Sequence, residues 1–90
     1  MYIILVYDIG ENRVGKILTI CRKYLFWVQK SVFEGELEES KYIQLKNELN
    51  ENIDANEDTI VIYRFKYKPK YILEKEHLGL WTNTGELTVV

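Results

Sequence analysis

Residues 1–10 read MYIILVYDIG: the positions from Tyr2 to Tyr7 are apolar or aromatic and uncharged, and at Asp8-Ile9-Gly10 they give way to turn chemistry. A short run rich in β-branched and aromatic side chains predicts a buried strand in the middle of a sheet. It has no basic residue before it and meets Asp8 too soon to serve as a signal peptide or a membrane span.

Downstream, Asn12 is a good N-cap, and Val14, Ile17, Leu18, Cys21, Tyr24 and Leu25 share one helical face, which predicts a helix from about Arg13 to Tyr24. Trp27, Val28, Ser31, Val32 and Phe33 favour an extended chain, and Gly35 within such a run marks a bulge or a close backbone approach, so this second strand is expected to bend. From Ser40, Tyr42, Leu45, Leu49 and Ile53 recur at helical spacing, with Lys41, Gln44, Lys46 and Glu48 left for solvent; this helix should end near Asn52. Thr59 to Phe65 is an unbroken run of β-formers, read as a second central strand covered on both faces. Lys66 to Lys70 forms a basic turn around Pro69, and Tyr71 to Leu78 and Leu87 to Val90 are expected to form two short strands.

With 90 residues, the chain is expected to be one domain spanning 1–90. Its 47% hydrophobic and 29% charged content suits a soluble globule. Net charge is -2, but the bases gather in Arg13 to Lys30 and Arg64 to Lys70 while the acids gather in Glu34 to Glu39 and Glu48 to Asp58, which leaves room for a local basic surface. The single cysteine, Cys21, reads as a small buried apolar residue and suits a reducing cytoplasm. The single histidine, His77, has no companion that would make it a general base.

The order strand, helix, strand, helix, strand, with a bent second strand able to count as two, predicts an α+β fold. The expected form is a ferredoxin-like two-layer sandwich, an antiparallel sheet with both helices on one face. The other face then needs cover, and a second copy packed face to face in a homodimer would supply it.

Asp8 stands where the first strand delivers a carboxylate just before a helix N-terminus. There it could hold a hard cation such as Mg2+, with Arg13 and Lys16 receiving phosphate oxygens beside it. The alternative is a turn-forming aspartate bonded to local backbone amides. One aspartate cannot complete a magnesium shell, but two Asp8 side chains near a dimer axis could share one ion.

Tyr7 and Asp8, Arg13 at the helix start, and the segment Val28-Gln29-x-Ser31-Val32-Phe33-Glu34-Gly35-x-Leu37 resemble, in order and spacing, the CRISPR-associated Cas-two family. The likeness continues from Asp58 to Arg64 and weakens after Lys66. It implies a ferredoxin-like homodimer with Mg2+ bound by Asp8 at the dimer interface. It also implies a metal-dependent endonuclease acting on RNA or double-stranded DNA, in which Asp8 is the ligand and Arg13 neutralises phosphate charge. A second role goes with the family, that of a dimeric scaffold that binds DNA and bridges the Cas-one integrase during spacer acquisition. Where some members carry a basic residue before the Val-Gln pair, this chain has Trp27; Lys30 could supply charge nearby. Phe33 could stack on a base or belong to the core. Asp8-Ile9-Gly10 also loosely resembles the ligand loop of amino-acid-sensing ACT modules, a shorter match that leaves the 28–37 segment unexplained.

Overall fold

The computed structural model describes residues 1–66 together with Glu76 and Leu78. Along residues 1–66 the elements run β1 (Tyr2–Asp8), α1 (Glu11–Arg22), β2 (Phe26–Gln29), β3 (Val32–Glu36), α2 (Glu39–Asn50) and β4 (Thr59–Phe65). The strands form one antiparallel sheet in the order β2-β3-β1-β4. This is the expected α+β architecture, a four-stranded sheet with two helices.

Side chains alternate along a strand, so β1 feeds both sheet faces. Ile3, Leu5 and Tyr7 turn into the core with Phe33, Ile17, Ile20, Cys21, Tyr42, Leu45 and Leu49. Tyr2, Ile4, Val6 and Asp8 occupy the opposite face. Burial of each large core side chain contributes roughly 1.5–3 kcal/mol, and helix α2 earns its place by stacking Tyr42, Leu45 and Leu49 at helical spacing. Cys21 lies among them, fully buried, and burial pushes its thiol up to about 12. No helix among the described residues is long and apolar enough to cross a membrane.

Four expectations are revised. Helix α1 starts at Glu11, so Asn12 lies within its first turn and Gly10 is the N-cap, without a side-chain cap. The bent second strand does count as two, β2 and β3, joined at Lys30-Ser31, but Gly35 is not its bulge. Its irregularity falls between Trp27 and Gln29, while Gly35 stays in register opposite Ile3. The close approach expected at Gly35 is present: a Cβ there would stand 3.2 Å from Leu25 Cδ2. Glu48 is half-buried, accepting hydrogen bonds from Lys23 Nζ at 2.5 Å and from the Tyr24 hydroxyl, so it ties α2 to the turn that follows α1 instead of facing solvent.

The fourth revision concerns β4, expected to be central. It is an edge strand among the described residues, pairing only with β1, and Val61 and Tyr63 are 42% and 55% exposed. A continuous apolar run signals apolar surroundings but does not say which element supplies them. Residues 67–70 of the basic turn, the last two expected strands apart from Glu76 and Leu78, and His77 lie outside the described residues.

Candidate functional site

Strand β1 ends at Asp8, which pairs with Thr59 at the start of β4. Its carboxylate is exposed on the face away from the helices, and among the described residues it meets neither a hydrogen-bond donor nor a cation. The turn-forming role is taken by another residue. Asp58 Oδ1 accepts the Gly10 amide at 2.8 Å, and Asp58 Oδ2 accepts the Asp54 amide at 2.8 Å.

Arg13 completes that arrangement. Its Nε donates to Asp58 Oδ2 at 2.5 Å and its Nη2 to Asp58 Oδ1 at 2.9 Å, a side-on fork that matches carboxylate geometry. Nη2 also reaches Glu57 Oε1 at 3.2 Å, and Nη1 reaches Asn12 Oδ1 at 3.2 Å. The Asp58 side chain is 0% exposed. Its two oxygens accept four hydrogen bonds, the full capacity of a carboxylate, which is what makes burying the charge tolerable. Hydrogen bonds from Arg13 above all, then from the Asp54 and Gly10 amides, hold the Asp58 carboxyl well below the usual carboxylate range although burial pulls the other way. The same contact with Asp58 raises Arg13. Arg13, expected to meet phosphate, therefore has its guanidinium committed within the chain.

The tip of the β2–β3 hairpin lies at this end of the sheet, because the Tyr7 amide bonds the Ser31 carbonyl at 3.0 Å. Lys30 sits at that tip with an exposed side chain. Lys16, the other expected base, is exposed on α1 and so belongs to the helix layer. Phe33 is a correction. It is 0% exposed, with the Tyr7 and Trp27 rings stacked 6.2 Å from it, and has no face left for a nucleobase.

Asp8 and Lys30 thus share one end of the sheet, with Arg13 behind them holding the turn; Lys16 and Phe33 lie elsewhere. Among the described residues no three His, Cys, Asp or Glu side chains gather as a metal-binding group. At the end of β1 the uncommitted carboxylate is that of Asp8, since the oxygens of Asp58 are filled. That fits magnesium, which takes one or two carboxylates and leaves its other positions to water and substrate phosphate. The role of Asp58 could have been suspected from a helix that begins without a capping side chain, although nothing local points 48 residues ahead to the partner of Gly10.

Comparison with known proteins identifies the family and the fold. A family model described as CRISPR associated protein Cas2 matches residues 1–70. The chain is 51% identical over 74 residues to a CRISPR-associated endoribonuclease Cas2 of Thermotoga maritima, covering 82% of this chain and 85% of that protein. It is 42% identical over 86 residues to one of Dictyoglomus turgidum, covering 96% and 97%. A structure described as the crystal structure of cas2 superposes with a TM-score of 0.80 at 33% identity, covering 94% of this chain and 93% of that one. Streptococcus pyogenes Cas2 shares the fold, with a TM-score of 0.73 at 24% identity over 86% of this chain and 100% of that one.

Proposed function

This chain belongs to the CRISPR-associated Cas2 family, and from that premise we propose that it is a magnesium-dependent endonuclease that cuts RNA or double-stranded DNA as a homodimer, with Asp8 as its catalytic carboxylate and metal ligand. The observation that carries this reading is the Asp8 side chain itself, exposed at the end of a central strand while the neighbouring carboxylate of Asp58 is fully engaged. The relatives' name, CRISPR-associated endoribonuclease Cas2, supports the nuclease chemistry.

Each partner's part follows from position. Two Asp8 carboxylates, one from each copy, would hold the ion across the dimer axis. Magnesium bound there would supply positive charge against the scissile phosphate. Lys30, exposed at the hairpin tip, contacts the nucleic-acid backbone, and Lys16 adds a weaker attraction from the helix layer. Arg13 acts mainly through Asp58, as a source of order and of positive potential. The dimer rests on the apolar face of the sheet, where Ile4 and Val6 lie beside Val61 and Tyr63. Its setting is the cytoplasm, and its partner in spacer acquisition is the Cas-one integrase.

A second reading, a dimer that binds DNA as a scaffold without cutting it, draws on Asp8 standing outside any cluster of three His, Cys, Asp or Glu side chains among the described residues. Asp8→Asn separates the two. The variant keeps the side chain's size, so it should fold, dimerise and bind duplex like the parent while losing all magnesium-dependent cleavage of RNA and duplex DNA. Undiminished cleavage would overturn the assignment of Asp8, and absence of cleavage by the parent protein on both substrates would favour the scaffold.

A further inference from the structure

We infer that Asp58 is a positioning residue for Asp8: its buried carboxylate fixes the Asp8-Ile9-Gly10 turn and so sets the direction of the metal-binding side chain. The inference rests on the reading of Asp8 given above and adds the part of the chain that orients it.

The Asp8 carboxylate has no hydrogen bond of its own among the described residues, so its direction is inherited from the backbone. That backbone is restrained on both sides. Asp8 is paired across the sheet with Thr59, and two residues on, the Gly10 amide is bonded to Asp58. Asp58 directly precedes Thr59, so both restraints come from one corner of the chain. Because Asp58 also takes the Asp54 amide and the Arg13 fork, it joins the loop before β4, the β1–α1 turn and the first turn of α1.

Gly10 gives a second, independent sign of this design. Its φ of -58° is open to any residue, so glycine is not needed for the backbone. A Cβ at Gly10, however, would stand 2.4 Å from Arg13 Nη2, where the guanidinium lies as it bonds Asp58. The glycine leaves room for the clamp.

Two variants test this, Asp58→Asn, which removes the charge and one acceptor, and Gly10→Ala, which displaces Arg13 while leaving both charges in place. In each, the Gly10 amide should exchange with solvent faster than in the parent. The magnesium concentration for half-maximal cleavage should rise about 10- to 100-fold, the range typical of groups that orient a metal ligand, with KM for the nucleic acid little changed. Assays well below each variant's Tm keep loss of fold out of the result, and should Asp58→Asn fail to fold, Gly10→Ala carries the test. Faster Gly10 exchange with an unaltered magnesium requirement would overturn the inference, because Asp58 would then be merely structural. Should the parent protein not cleave at all, the nuclease reading fails separately. The clamp is then judged by 15N relaxation at Asp8: lost order in both variants upholds it and retained order overturns it.

Discussion

Tyr7 donates its phenolic hydrogen to the backbone carbonyl of Lys30 at 3.0 Å, and Trp27 Nε1 donates to the same oxygen at 3.0 Å. Two rings that pack on Phe33 thereby anchor the hairpin tip that carries an exposed lysine beside Asp8. Tyr7→Phe removes one of these bonds but leaves the ring packing and the Trp27 bond. Urea unfolding should reveal a loss of about 1 kcal/mol, with faster amide exchange around Ser31. An unchanged midpoint would show that the hydroxyl does not hold the tip.

The dimer should depend on the exposed apolar positions of β4. Val61 lies on the same face as Asp8, opposite Val6, and carries no charge to keep a partner away. Val61→Asp should therefore halve the mass measured by light scattering at micromolar concentration and abolish cleavage with it. A parent protein that is already monomeric there would refute the shared metal site.

Fully buried, Phe33 is expected to act in stability alone. Phe33→Leu leaves a void beneath the Tyr7 and Trp27 rings and should cost about 1–3 kcal/mol. At a temperature where the variant remains folded, its affinity for duplex should equal that of the parent; a selective loss of binding would return Phe33 to the nucleic-acid surface.

The Asp58 clamp also predicts an acid limit. A carboxyl held below its ordinary pKa in the folded chain stabilises that chain fully above the ordinary value of about 3.9, and the contribution fades as pH falls below it towards the folded value. The stability difference between the parent and Asp58→Asn should therefore be constant from pH 7 to about pH 5 and shrink at pH values below about 4. A difference independent of pH down to 3 would show that Asp58 is not ionised in the fold.

Much of the sheet was legible because its signals are local. The Tyr2 to Tyr7 run announces β1, and Tyr42, Leu45 and Leu49 announce α2 by their spacing. The place of Asp8 at the end of β1 was equally legible, while its reading as a metal ligand leaned on the family resemblance. What joins Arg13 to Asp58 was not, because the two are 45 residues apart and no periodicity connects them. Reading Arg13 as a phosphate ligand followed from its helix position, and only the fold brings a buried carboxylate to it. The edge position of β4 escaped for a similar reason: a run of β-formers looks alike whether a neighbouring strand lies on one side or both. Phe33 belonged to a recognisable motif, but motif membership does not distinguish a packing residue from a binding one.

The position of β1 has a consequence in time. It leaves the ribosome before both strands that flank it, and its edges close only when Glu36 comes to lie beside Tyr2 and, much later, when Phe65 does the same on the other side. Pairings so distant along the chain carry a large loop-closure cost before they give any return, which slows folding. The most apolar segment of the protein must therefore wait, unpaired on at least one edge, until β4 has been synthesised. Truncation before residue 59 would leave that edge permanently open, a strand template for aggregation.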